Sequence, residues 1–227
     1  MPRTSLRGLA ALGTGLAAAF LVAARAVTGH TAPPPALPDA ALDQPITTTA
    51  GEQTIVFSGG CFWGVQAVFQ HVKGVVSATS GYAGGSGNRA SYDEVSTGTS
   101  GHAESVRVVY DTSKVSLGQL LKVFFSVAHD PTELNRQGPD VGPQYRSAVW
   151  YTNEAQHRVV QAYIDQLTKA KVFSKPIVTE VAPLKGFYEA ESYHQNYFDR
   201  HPNQPYIVIN DKPKVEALRT QFADLWK

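Results

Sequence analysis

Sulfur-containing residues are almost absent from this sequence. Cys61 is the only cysteine among 227 residues, and Met1 is the only methionine. A single thiol cannot form an internal disulfide, which excludes a disulfide framework. One cysteine and seven scattered histidines do not supply the ligand set of a structural zinc site. We therefore expect no metal site. The segment Gly85-Ser86-Gly87-Asn88-Arg89-Ala90 has the letters of a dinucleotide-binding fingerprint, but no helical pattern follows it, so we expect no bound cofactor either.

The sequence also lacks an excess of charge of either sign. The chain has 20 Lys and Arg residues against 19 Asp and Glu residues. The first 26 residues include three arginines and no acidic residue, so subtracting those three leaves 17 basic against 19 acidic residues in the remainder. A domain with this balance has no electrostatic attraction for nucleic acid. We expect no nucleic-acid partner.

The first 52 residues have the composition of a targeting segment followed by a linker. Arg3 and Arg7 precede an apolar stretch, and Ala24-Arg25-Ala26 fits a small-x-small cleavage site. Residues 1–26 are predicted to be an export signal or, if they are not cleaved, an N-terminal membrane anchor. Residues 27–52 are rich in Pro, Ala and Thr and are predicted to be a disordered linker. The folded domain is expected to be exported, to the periplasm or another extracytoplasmic compartment.

Residues 53–227 are predicted to form one α+β domain. Apolar stripes at helical spacing lie at 117–128 and 155–167, and a last amphipathic helix lies near the C-terminus. The order of elements is β-α-β-β-α-β, which is typical of a ferredoxin-like split β-α-β sheet, mostly antiparallel. Additional C-terminal helices and long loops complete the fold. The strand patterns lie at Thr54 to Phe57, Gly74 to Tyr82, Ser105 to Tyr110, Ser147 to Tyr151 and Ile177 to Val181.

The only cysteine lies in the segment Gly59-Gly60-Cys61-Phe62-Trp63-Gly64. A strand pattern precedes it and a helical pattern follows, so Cys61 is predicted at a helix N-terminus. Unpaired backbone N–H groups and the helix dipole at that position lower the pKa of a thiol. A buried structural cysteine is the alternative. The neighbouring glycines favour a reactive thiol, because they give its side chain an exposed outlet.

A second candidate is Glu104, which closes a loop just before the apolar strand Val106 to Tyr110. A carboxyl group drawn into the interior keeps its proton at neutral pH and can act as a general acid. The alternative is a solvated glutamate at the end of a strand. Tyr92 and Tyr145 lie in the long loops, where their hydroxyl groups either donate to a substrate oxygen or serve only packing.

Taken together, these segments resemble the A class of peptide methionine sulfoxide reductases, which act on the S epimer of the sulfoxide. The resemblance covers nearly the whole domain. It rests on ordered blocks at Gly60-Cys61-Phe62-Trp63-Gly64, Gly81 to Gly85, Tyr92 to Val95, Gly101-His102-Ala103-Glu104, His129 to Thr132, Asn135 to Gly138, Asp140, Gln144 to Ser147, Ala190-Glu191 and Tyr193 to Gln195.

The resemblance implies a role for each candidate residue. Cys61 attacks the sulfoxide sulfur while Glu104 donates a proton to the oxygen, and the departure of methionine leaves a cysteine sulfenic acid. The implied substrate-binding side chains are two aromatic rings that cradle the S-methyl group, two phenols that donate hydrogen bonds to the oxygen and one carboxylate that organises the pocket through water: Phe62, Trp63, Tyr92, Tyr145 and Asp140, respectively.

The sequence departs from many members of that family in its C-terminal part. Ile207 stands where some relatives have a resolving cysteine. The expected partners are therefore oxidised proteins or peptides that contain methionine sulfoxide, together with an external thiol reductant, either a small thiol or a thioredoxin- or glutaredoxin-like protein. We expect a monomer whose only membrane contact is the possible N-terminal anchor.

Two other functions stay open at this stage. One is a cysteine acyl-transferase or hydrolase in which His102, His129 or His194 activates Cys61. The other is a tethered, non-enzymatic binding module, for which Cys61 is dispensable.

Overall fold

A six-stranded sheet forms the centre of the computed structural model, which describes residues 37–227. The strand order is β7-β6-β1-β3-β2-β8, and only β6 and β7 pair in parallel. A separate ribbon contains β4 and β5. In chain order the strands are β1 Glu52–Gly59, β2 Val75–Ala83, β3 Ala103–Asp111, β4 Arg136–Gln137, β5 Asp140–Val141, β6 Ser147–Tyr151, β7 Glu180–Pro183 and β8 Phe187–Glu189.

The four strands β6-β1-β3-β2 have the order and antiparallel pairing of the split β-α-β sheet. The predicted α+β class is therefore confirmed. The last predicted strand, Ile177 to Val181, begins later than expected, because β7 starts at Glu180.

The described part of the chain has six α-helices, and buried residues of α1, α2, α3, α4 and α6 belong to one core cluster with those of the sheet. Ser116 and Asn153 are the N-cap residues of α3 and α4, and the side chain of each accepts a hydrogen bond from the first turn of its helix. A π-helical turn, Phe124–Ala128, continues α3, and another, Ile207–Asp211, precedes α6. The helices are α1 Phe62–Gln70, α2 Tyr92–Ser96, α3 Leu117–Val123, α4 Glu154–Lys169, α5 Tyr197–Arg200 and α6 Lys212–Gln221.

Aromatic packing fixes the central strand against two helical segments. Phe57 of β1 is fully buried, and its ring stacks on Phe69 of α1 and on Phe124. Burying a phenylalanine side chain stabilises a fold by about 1.5–3 kcal/mol. The end of β1 and the start of α1 are thus held by the core, and the turn between them contains Cys61.

The predicted export signal, residues 1–26, and residues 27–36 of the predicted linker lie outside the described residues. Among residues 37–227, no helix has the length and apolar character needed to cross a bilayer.

Residues 37–51, which the composition assigns to the linker, are packed on the domain. Asp43 accepts hydrogen bonds from Ser116 and Gly118 at the start of α3, and Tyr163 donates to the Pro38 carbonyl. Gly118 makes this contact possible, because a Cβ atom there would lie 2.4 Å from Asp43 Oδ2.

Candidate active site

Cys61 lies in a tight turn between β1 and α1. It is the N-cap residue of α1, as predicted. Gly60 before it has φ 84°, in the left-handed region, and a Cβ atom there would lie 2.5 Å from the Gln137 side chain. Only glycine meets both conditions without strain. The turn therefore fixes the backbone just before Cys61, which is 8% exposed.

A cavity of about 270 Å³ opens above Cys61. All seven residues that the sequence analysis predicts to be catalytic or substrate-binding line this cavity. Two further residues from the C-terminal segment, Gln204 and Tyr206, complete the wall. The predicted members are Cys61, Phe62, Trp63, Tyr92, Glu104, Asp140 and Tyr145.

Glu104 is the second residue of β3 and is 4% exposed. One of its carboxyl oxygens accepts a hydrogen bond from the backbone N–H of Phe62, at 3.0 Å. Phe62 is the first residue of α1, so the Glu104 carboxyl caps the N-terminus of the helix that Cys61 begins. The nucleophile and the acid are thereby held by one short piece of backbone.

The aromatic side of the cavity is fixed by the C-terminal part of the domain. The Trp63 indole N–H donates to His194 Nδ1 at 3.1 Å, and the Trp63 ring stacks on Tyr197 with centroids 3.8 Å apart. Phe62 is 1% exposed and packs against Tyr82 and His194. These contacts hold both rings against the cavity at the side of Cys61.

The polar side is built from three loop segments. Tyr92 begins α2, and its backbone N–H donates to Glu191 at 2.9 Å. Tyr145 ends a short 3-10 turn, and Asp140 on β5 accepts a hydrogen bond from the Tyr206 hydroxyl. Three phenols and two carboxyl groups therefore share one small cavity with the thiol.

A family model described as peptide methionine sulfoxide reductase matches residues 53–225. The chain belongs to this family. The reductase is 57% identical over 176 residues to peptide methionine sulfoxide reductase MsrA 2 of Mesorhizobium japonicum, covering 78% of this chain and 90% of the relative. Identity to MsrA 2 of Synechocystis sp. is 49% over 193 residues, covering 84% and 90%.

Solved structures agree with this assignment. Mxr1 from Saccharomyces cerevisiae in reduced form is similar with a TM-score of 0.62 and 30% identity, over 71% of this chain and 94% of that one. Methionine sulfoxide reductase A of Corynebacterium diphtheriae gives a TM-score of 0.59 and 36% identity, over 69% and 78%. The predicted A-class resemblance is confirmed, and the chain is a peptide-methionine (S)-S-oxide reductase with one cysteine.

Protonation states in the reductase follow from burial. Burial raises the pKa of Glu104 to about 8, against the opposing hydrogen bond from Phe62. The same desolvation raises the pKa of the Cys61 thiol well above its ordinary value, and the Glu104 and Asp211 carboxylates add to it. Both groups therefore carry their protons at neutral pH.

The prediction that the helix N-terminus lowers the Cys61 pKa is wrong. The Trp63 backbone N–H group and the charge of Lys214 do lower it, but desolvation outweighs them. The first N–H of α1 is donated to Glu104 rather than to the thiol. The helix terminus thus serves the acid more than the nucleophile.

The three histidines offered as bases for a hydrolase do not line the cavity. His129 is hydrogen-bonded to Phe124 O and Ser147 Oγ, and burial lowers its pKa to about 4. His102 is held by Gly85 and Ser86, and His194 accepts from Trp63. None of these three histidines lines the cavity as a base for Cys61, as the acyl-transferase hypothesis requires.

Two cavity residues, Gln204 and Tyr206, do not follow from the sequence reasoning. The one feature that the sequence shows in this segment is Ile207, which stands where some relatives have a resolving cysteine. Tyr206 also meets the edge of Trp63, with ring centroids 5.9 Å apart. An aromatic residue after Pro205 was the one available signal, and it is not specific enough to indicate a cavity wall.

Proposed function

We propose that this reductase converts methionine S-sulfoxide to methionine through a sulfenic acid on Cys61, with no bound cofactor and with an external thiol as reductant. The observation that carries the proposal is the pairing of Cys61 and Glu104. They share one cavity, and Glu104 accepts the N–H of the residue that follows Cys61. A sulfoxide oxygen leaves only after protonation, so the reaction needs a nucleophile and an acid at the same place.

The protons that Cys61 and Glu104 carry at rest are sufficient for the reduction of the sulfoxide. Cys61 sulfur bonds to the sulfoxide sulfur, Glu104 gives its proton to the oxygen, and the thiol proton returns to Glu104. Transfer of the hydroxyl group from the substrate sulfur to Cys61 sulfur then breaks both the sulfoxide S–O bond and the transient S–S bond, and it releases the thioether. Cys61 is oxidised by two electrons and the substrate sulfur is reduced by two. No proton from solvent is consumed.

The remaining cavity residues position the substrate. Burial raises the pKa of Tyr92 and of Tyr145, so both hydroxyl groups stay protonated and can donate to the sulfoxide oxygen. Phe62 and Trp63 form an apolar surface for the S-methyl group. Asp140, held by Tyr206, orders the polar end of the pocket.

Recycling requires a thiol from another molecule, because the chain has no second cysteine. One external thiol condenses with the sulfenic acid, which releases water and forms a mixed disulfide. A second thiol attacks that disulfide and restores the Cys61 thiol. We propose a small thiol or a thioredoxin- or glutaredoxin-like protein in this role, acting on a monomeric reductase.

Stereochemistry tests the proposed function directly. With dithiothreitol as reductant, we expect the protein to reduce the S epimer of a blocked methionine sulfoxide and to leave the R epimer unchanged. The measurement is chromatographic quantification of methionine from each separated epimer. Reduction of the R epimer at a comparable rate would contradict the assignment, as would the absence of methionine from either epimer.

The site of action is proposed from composition alone. We infer that residues 1–26 direct the domain out of the cytoplasm, where it repairs oxidised proteins. Support comes from the arginines before the apolar stretch and from the Ala24-Arg25-Ala26 site. Intact-mass measurement of the protein from separated cell fractions is expected to show a chain that starts at residue 27, or the full chain in the membrane fraction if the segment is an anchor. Full-length protein in the cytoplasm would refute export.

A further inference from the structure

A buried carboxylate lies behind Cys61, and the reaction described above does not use it. Asp211 ends the π-helical turn before α6 and has no exposed surface. Its Oδ1 atom is 3.4 Å from Lys214 Nζ, while its Oδ2 atom is buried without a hydrogen-bond partner in the described part of the chain. The Lys214 side chain is 21% exposed. An ionised carboxylate is expensive to bury in this way.

The catalytic helix makes room for this pair. A Cβ atom on Gly64 would lie 2.1 Å from Asp211 Oδ1 and 3.1 Å from Lys214 Nζ, so any side chain there would displace both charges. Gly64 is the third residue of α1, about one helical turn after the N-cap residue Cys61. The Asp211–Lys214 pair is therefore seated about one turn along α1 from the thiol.

We propose that Asp211 and Lys214 are positioning residues that set the reactivity of Cys61 in opposite directions. The carboxylate keeps the resting thiol protonated, and the ammonium group stabilises the thiolate that forms when Cys61 attacks. Opposite charges at similar distances act with opposite sign on a nearby thiolate, and the effect is larger in a desolvated site than in water. The inference rests on the proposed role of Cys61 as the nucleophile.

The charges around the thiol are consistent with this division. Asp211 raises the Cys61 pKa and Lys214 lowers it, alongside the larger effects of burial and Glu104 on β3. The pKa of Asp211 is itself raised to about 6, by burial, with Lys214 opposing the shift and Asp140 on β5 adding to it. The other titratable groups that face Cys61 are the phenols of Tyr92, Tyr145 and Tyr206.

The Asp211–Lys214 pair protects Cys61 in an enzyme that is exposed to oxidants. Oxidation of a cysteine beyond the sulfenic acid follows its thiolate character. A thiol held protonated between turnovers is protected from peroxide, and the nearby ammonium group keeps the thiolate accessible once substrate is bound.

Alkylation of Cys61 tests the proposal without any sulfoxide. Because Cys61 is the only cysteine, incorporation of iodoacetamide reports on it alone. We expect D211N to move the midpoint of the pH–rate profile to lower pH by about one unit and to speed labelling at pH 7 about tenfold, and K214M to do the reverse. The control is D224N, which removes one exposed charge from the C-terminal segment.

Opposite signs separate a charge effect from a loosened fold, which would speed labelling in both variants. Shifts in the same direction, or profiles that match D224N, would overturn the proposal. If D211N does not fold, K214M decides alone: an unchanged or accelerated rate is the contrary result. Failure of the proposed function is distinguishable, because it would appear as absent sulfoxide turnover while these labelling rates still diverge.

Discussion

Replacing Cys61 with serine is expected to lower kcat/KM for methionine S-sulfoxide on the order of 10⁴-fold or more, the scale of loss when a covalent nucleophile is removed. A serine hydroxyl is a far weaker nucleophile than a thiol, and it cannot accept the sulfoxide oxygen as a sulfenic acid. No other residue of the described cavity offers a thiol. The loss should therefore be close to complete rather than partial.

Single turnover provides the sharpest measurement of this prediction. Without reductant, the wild-type chain is expected to release one methionine per polypeptide and then stop, with a gain in intact mass of one oxygen atom. Addition of one equivalent of a monothiol should convert that species to an adduct of one thiol per chain, because no second cysteine of the chain can displace it. The serine variant should give no burst and no mass change.

A matched control keeps the result interpretable. The serine variant should retain the wild-type melting temperature, because Cys61 forms the N-cap turn through its backbone and Gly60. Repeated methionine release by the wild-type chain without a thiol, or a burst from the serine variant, would show that Cys61 is not the redox centre.

Sequence patterns were sufficient for the architecture because its determinants are local. Periodic apolar residues predicted the four central strands and the long helices, whereas the short strands β4, β5 and β8 have no such pattern. The predicted strand at Ile177 to Val181 was displaced, because apolar residues also occur in the irregular segment before Glu180. The packing of residues 37–51 depends on Asp43 meeting Gly118, which no local pattern indicates.

The site was predictable in its residues but not in its electrostatics. All seven candidate residues that the motif blocks indicated line one cavity. The direction of the Cys61 pKa could not follow from the helix terminus, because desolvation comes from the surrounding tertiary structure. The roles of Tyr206 and Asp211 could not be predicted for the same reason. Tyr206 is hydrogen-bonded to Asp140 and Asp211 lies against Gly64, and each pair is more than 60 positions apart in sequence.

Replacing Glu104 with glutamine is expected to lower kcat/KM about 10²–10⁴-fold, the usual contribution of a general acid. Glutamine keeps the shape of the side chain and can still accept the N–H of Phe62, but it has no proton to give. In the wild-type enzyme the acid is active when protonated, so activity should fall as pH rises through about 8, the pKa of Glu104. That alkaline limb should be missing from the profile of the variant.

Stability distinguishes this loss from damage to the fold. Burial raises the pKa of Glu104 from 4.5 to about 8, so the folded state holds a proton that the unfolded chain releases between those values. Stability of the wild-type protein therefore decreases with rising pH across that window, and the neutral glutamine removes this dependence. The variant should melt at a higher temperature than the wild type at pH 8 and close to it at pH 4, whereas E216Q, which changes an exposed glutamate on α6, should change neither property. An inactive variant that also melts lower at pH 8 would mean that Glu104 supports the structure rather than donates the proton.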